Sequence, residues 1–134
     1  MRKKIFILGI GIVALLVILF FVFGSNRVSS FEAINNFDGD ITIHKSMSCG
    51  CCGVYADYFK SKGNSKVEFL NVNNPTDVKE RYGIPSAMGS CHTTIIGNYF
   101  VEGHVPLEAV EKLLLERPDI KGIAMPGMPS GSPG

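Results

Sequence analysis

At 134 residues the chain has room for one packed domain, not two. Its formal net charge of +1 is concentrated at the start: beyond Arg2, Lys3 and Lys4, ten basic side chains face twelve acidic ones with no basic run, so nucleic-acid binding has no electrostatic support. Asp and Glu are scattered without pairing, and neither a phosphate-cradling glycine loop nor a Ser-His-Asp pattern is present, which removes the usual carriers of acid–base and hydrolytic chemistry.

The three N-terminal basic residues precede nineteen uncharged residues, Ile5 to Phe23. As a helix this run spans roughly 28 Å, enough to cross a bilayer core. A cleaved signal peptide has a shorter apolar stretch and small residues at its end. Here Phe21-Val22-Phe23-Gly24-Ser25-Asn26-Arg27 follows, a poor cleavage site, so residues 1–24 read as a retained signal anchor and transmembrane helix. Positive charge before the span places the N-terminus in the cytoplasm and the rest of the chain on the extracytoplasmic side. Thiols there oxidise unless metal or a reductant protects them.

Residues 25–39 read as a polar linker, with a short helical turn, ahead of a domain over 40–124. Ile41 to Lys45 is the first strand. Next comes Met47-Ser48-Cys49-Gly50-Cys51-Cys52-Gly53, which holds three of the four cysteines. Val54 to Phe59 continues it as a helix, and Gly63-Asn64 ends that helix. Lys66 to Val72 alternates as a second strand. Pro75 opens a helix that runs to Tyr82, and Gly83-Ile84-Pro85 stops it. After Ser90-Cys91-His92, the β-branched Thr93-Thr94-Ile95-Ile96 is a third strand. Gly97-Asn98 turns it into a fourth, Tyr99 to Val105. Pro106 opens a last helix, Leu107 to Glu116, with Leu107, Val110, Leu113 and Leu114 on one face. Residues 125–134 form a Met/Pro/Gly-rich tail with no regular structure of its own.

The order β-α-β-α-β-β-α predicts an α/β, thioredoxin-like fold: a mixed four-stranded sheet with flanking helices, parallel in its early half and a hairpin in its later half. Cys49 and Cys52 form a C-x-x-C at the strand-to-helix junction, where it reads as a redox or soft-metal site. Cys52 falls in the first helical turn, where the helix dipole favours thiolate. A structural disulfide is the plainer alternative. It would close a very short loop, contribute little, and leave two sulfurs unexplained.

In thioredoxin-like proteins the slot before the third strand is normally a cis-proline that helps receive peptide substrates. Here it holds Cys91-His92, which puts a fourth sulfur and an imidazole beside Cys49, Cys51 and Cys52. Such a site suits Cu(I) or Zn. His104, before the last helix, is a further candidate ligand, and His44 within the first strand is structural. Met47, Met125 and Met128 are thioether candidates, which favour Cu(I) over hard ions.

These residues, together with His44-Lys45-Ser46, Tyr82-Gly83-Ile84-Pro85, Ser90-Cys91-His92-Thr93, Val101-Glu102-Gly103-His104-Val105-Pro106, Glu116-Arg117-Pro118-Asp119 and the tail from Pro126 to Pro133, resemble the DUF411 family of metal-binding, CopG-like copper-resistance proteins. The resemblance runs from about Asp40 to Gly134. It implies a thioredoxin-like fold, export across the membrane, and copper held by Cys49, Cys51, Cys52 and Cys91. Met47-Ser48 stands where the family usually has Pro-Thr. The expected function is a membrane-tethered Cu(I)-binding protein in copper homeostasis or resistance, with copper ions and a copper donor or acceptor protein as partners. The alternative is a thiol–disulfide oxidoreductase that cycles Cys49 and Cys52, with or without coupling to copper redox.

Overall fold

The computed structural model describes residues 31–134. The span expected over residues 1–24 lies outside them. Among the described residues no helix is long and apolar enough to cross a membrane.

The elements are α1 (Glu32–Asn35), β1 (Ile41–Lys45), α2 (Gly50–Tyr58), β2 (Glu68–Asn71), α3 (Pro75–Tyr82), β3 (His92–Ile96), β4 (Tyr99–Gly103), α4 (Leu107–Glu116) and β5 (Gly122–Met125). One mixed sheet takes the order β2-β1-β3-β4-β5. β1 and β2 are parallel, as a helical crossover demands, while β3 runs antiparallel to both β1 and β4. The sheet therefore has five strands, one more than expected. The fifth, β5, lies parallel to β4 along its outer edge, because α4 returns the chain as a second crossover.

β3 is buried along its whole length, with strands on both sides of it. Its alternation sends successive residues to opposite faces. Ile96 joins the main core with Ile43, Tyr55, Phe59, Leu107 and Val110, whereas Ile95 joins a smaller cluster with Ile84 and Phe100. Gly97 has φ +56, which the tight β3–β4 turn requires and a side chain would resist. α4 ends at Arg117 in the left-handed conformation, ahead of Pro118.

Two segments carry more structure than their sequences announce. Phe31 and Ile34, in the stretch expected to be a linker, are buried in the main core. Glu111 of α4 fixes them there: its carboxylate accepts from the backbone N–H groups of Ala33 (2.8 Å) and Ile34 (3.0 Å). That carboxylate meets unsatisfied amides at the start of α1. α2 also runs on through a π-helical segment, Phe59–Gly63, where Gly63 packs closely against Ile34 and Leu107.

Leu107 is fully buried where α4 meets the sheet. Leu107→Ala should lower unfolding free energy by about 2–5 kcal/mol in urea denaturation. A cost near zero would contradict this account of the core.

Candidate metal centre

β1 ends at Lys45, and a short turn, closed by Cys49 N–H donating to Ser46 O at 3.2 Å, leads into α2. Cys49 is the N-cap of that helix, so Cys51 and Cys52 occupy its first turn. Cys49 and Cys52 are joined as a disulfide, while Cys51 and Cys91 are not bonded to another cysteine. Cys51 Sγ lies 3.6 Å from Cys49 Sγ.

The second contribution comes from β3. Its register with β1 pairs Lys45 with His92, which brings the residues just before β3 alongside the turn that follows β1. Cys91 and His92 are thereby brought to the cysteine trio. His104, one residue beyond β4, reaches the same place because β4 returns antiparallel to β3. Cys91 Sγ lies 3.4 Å from His92 Nδ1 and 3.3 Å from His104 Nε2.

Two overlapping sets of donors result. Cys49, Cys51, Cys52 and Cys91 hold four sulfurs within 4.8 Å of one another, and Cys52, Cys91, His92 and His104 hold two sulfurs and two imidazole nitrogens within the same limit; the sulfurs of Cys49 and Cys52 become donors only when their disulfide is reduced. Cys52 and Cys91 belong to both sets. No carboxylate belongs to either, so the donors are soft or borderline and fit a soft or borderline ion.

Contacts from Pro133 and Tyr55 position the imidazoles. His104 Nδ1 lies 2.6 Å from the carbonyl oxygen of Pro133. A carbonyl only accepts, so Nδ1 carries the proton and the Nε2 lone pair faces Cys91 Sγ. Tyr55 supports both rings, its centroid 4.5 Å from that of His92 and 5.5 Å from that of His104. The Tyr55 hydroxyl donates to Val105 O at 2.8 Å, which fixes the ring, and burial pushes its pKa upward. His92 Nε2 is buried and has no hydrogen-bond partner among the described residues. Burial first, then His104 and Lys79 nearby, push the His92 pKa down to about 3. Burial likewise pushes the Cys91 thiol up, against the opposing hydrogen bond from Ser90, with Cys51 adding to the rise.

The methionines differ in placement. Met47 is 78% exposed and Met128 is 55% exposed. Met125 ends β5, half-buried against the core, and its sulfur accepts from the Ser132 hydroxyl at 3.5 Å. The tail beyond Met125 forms no helix or strand, yet that bond and the Pro133–His104 contact fold it back over the centre. His44 stands apart on β1, where its Nε2 meets the Thr42 hydroxyl at 3.2 Å.

Tyr55 and the pair Glu102–Lys79 are the contributors that sequence reasoning passed over. Tyr55 lies within the helical run from Val54 to Phe59 and reads there as ordinary core. Glu102 is the acidic residue of an otherwise uncharged hairpin, and a carboxylate in a strand reads as solvent-facing.

The profile of the family described as "Protein of unknown function, DUF411" matches residues 88–134. No curated protein matches. Two solved structures titled "Copper resistance protein copG", Form 1 and Form 2, are each 45% identical to this chain. Each alignment covers 70% of this chain and 74% of the other, with TM-scores of 0.64 and 0.65. The mixed α/β fold is thus shared with them. The chain belongs to the DUF411, CopG-like family.

In the unfolded chain His92 takes up a proton near its ordinary pKa of 6.5, whereas in the folded protein it does so only near 3. Between those values the unfolded state binds more protons, so this group makes stability fall as pH drops through 6.5. Urea midpoints of the metal-free protein should therefore decline from pH 7.5 to pH 5, and His92→Gln should flatten that decline. An equal decline in both proteins would contradict the burial of a neutral imidazole.

Proposed function

We propose that this protein holds Cu(I) in a thiolate–imidazole cluster, on the extracytoplasmic side of a membrane to which residues 1–24 tether it, and so serves copper homeostasis or resistance. The observation that carries this reading is the pair of donor sets sharing Cys52 and Cys91, built from three separate segments. A simple dithiol enzyme has no use for Cys51, Cys91 and two imidazoles in one place. The thiolate-rich set favours Cu(I); Zn is the competing ion, better matched to the Cys/His set. The two solved relatives named copper resistance proteins support copper, as do the thioether side chains of Met47, Met125 and Met128. Met47 and Met128, exposed near the sequence positions of the cluster and on the tail, suit the capture or hand-over of a copper ion to a partner protein.

The layout supports a thioredoxin-like ancestry: β1-α2-β2-α3-β3-β4-α4 with the C-x-x-C at the start of the helix after β1. The slot before β3 carries Cys91 in place of the proline that a peptide-binding oxidoreductase uses. Thiol–disulfide chemistry is the second reading, and the Cys49–Cys52 disulfide is the observation that favours it. Its reduction by a dithiol would take two electrons and two protons and release two thiols to the cluster. The two readings meet there, since copper ligands must be thiolates and the disulfide withholds two of them.

Anaerobic Cu(I) titration of the full-length protein against a chromophoric chelator tests this. The reduced protein should compete strongly, Cys51→Ser and Cys91→Ser should each compete less well, and the Cys49–Cys52 disulfide form should lose most of its affinity. Equal binding by oxidised and reduced protein, or no effect of either substitution, would sink the copper cluster. Insulin reduction at thioredoxin-like rates would favour the enzyme. As for the tether, the protein should stay in the membrane pellet after alkaline carbonate washing. Release into the supernatant would contradict a transmembrane anchor.

A further inference from the structure

Beneath the metal centre, on the other face of the sheet, lies a buried charged group that no ligand set uses. Glu102 of β4 is opposite Thr93 in the β3–β4 register, and strand alternation turns both away from the face that carries His92. Its side chain is 0% exposed, and three donors converge on it. Ser90 N–H reaches Oε1 at 2.5 Å, Lys79 Nζ from α3 reaches the same oxygen at 2.6 Å, and the Thr93 hydroxyl donates to Oε2 at 2.5 Å. Lys79 also donates to the Thr93 hydroxyl at 3.2 Å, which closes the network.

The bond to Ser90 is the informative one. Thr93 and Lys79 alone would satisfy a buried carboxylate, but the third donor is the backbone of the residue immediately before Cys91. The neighbouring residue of β4 accommodates that contact: Gly103 has φ +80, and a Cβ there would lie 2.7 Å from both Ser90 Oγ and Met125 O. Glycine is what lets the Ser90 loop press onto β4 at this point. A buried ion pair adds little stability compared with apolar residues of the same volume, so its presence under one short loop calls for a geometric role.

We infer that Glu102 is a positioning residue of the metal centre: it grips the Ser90 backbone from the far face of the sheet and so sets where Cys91 Sγ meets the other donors. This rests on the copper-binding reading, in which Cys91 is the sulfur shared by both sets. Lys79 holds the carboxylate in place, and α3 is thereby coupled to the centre without touching it.

Two readouts on the reduced full-length protein test the inference. The first uses no metal: iodoacetamide labelling of the metal-free protein, with each cysteine quantified by peptide mass. Cys52 is fully buried and reports any global opening in the same sample. E102Q should raise the labelling rate of Cys91 several-fold relative to that of Cys52. The second is Cu(I) affinity by chelator competition, which should fall about 10- to 100-fold, as for other residues that orient metal ligands. K79M/E102Q, which removes the stranded ammonium, should recover urea stability while Cys91 stays mobile and the copper affinity low. The inference is overturned if Cys91 and Cys52 labelling rise together in E102Q, if neither rises, or if the double variant restores labelling and affinity along with stability. Failure of the wild-type protein to bind Cu(I) would instead defeat the copper reading, and the labelling comparison would still decide whether Glu102 places Cys91.

Discussion

The whole arrangement depends on the register of β3 between its two neighbours. Lys45 opposite His92 on one side and Thr93 opposite Glu102 on the other bring three chain positions to one end of the sheet: the exit of β1, the entry of β3 and the exit of β4. Cysteines follow the first, Cys91-His92 occupies the second, and His104 follows the third. Side chains alternate along a strand, so a slip of one residue would turn His92 to the face of Glu102 and break up the donor sets. What prevents the slip is burial: Ile96 belongs to the main core and Ile95 to the smaller cluster, and neither can exchange places with a threonine.

The two faces of the sheet then divide the labour. On one, Tyr55 backs both imidazoles and the tail's Pro133 carbonyl selects the His104 tautomer, so nitrogen lone pairs and sulfurs point at a common space. On the other, the Glu102 carboxylate accepts from the backbone N–H of Ser90, next to Cys91, and pairs with the Lys79 ammonium. Cys52 and Cys91 stand where the sulfur-only and the mixed sets overlap, which makes them the sites of greatest consequence for any bound ion. The disulfide between Cys49 and Cys52 ties the chemistry to redox state, because it engages one of these shared sulfurs.

Much of this was legible in the residues. The last helix runs from Leu107 to Glu116 as its apolar spacing indicates, and Gly97-Asn98 marks the hairpin turn. The convergence of Cys91-His92 with the cysteine trio was expected from the thioredoxin-like layout, and the antiparallel pairing of β3 with β1 produces it. β5 was not legible. Gly122-Ile123-Ala124-Met125 is too short to show alternation, and its strand conformation comes from the open edge of β4 that it pairs with. Phe31 and Ile34 were equally silent, because two apolar residues in a polar stretch carry no period until α4 offers them a surface. The Glu102 network was hidden for a related reason: a carboxylate in a strand reads as solvent-facing unless the three donors that meet it are known.

The central claim is that copper sits among sulfurs drawn from both halves of the domain. Copper K-edge X-ray absorption on the anaerobically loaded, reduced protein tests it most directly. The account predicts a sulfur-dominated shell with a nitrogen contribution, and a loss of sulfur scattering when Cys91 is replaced by serine. A shell of oxygen and nitrogen alone, or one that Cys91→Ser leaves unchanged, would contradict it.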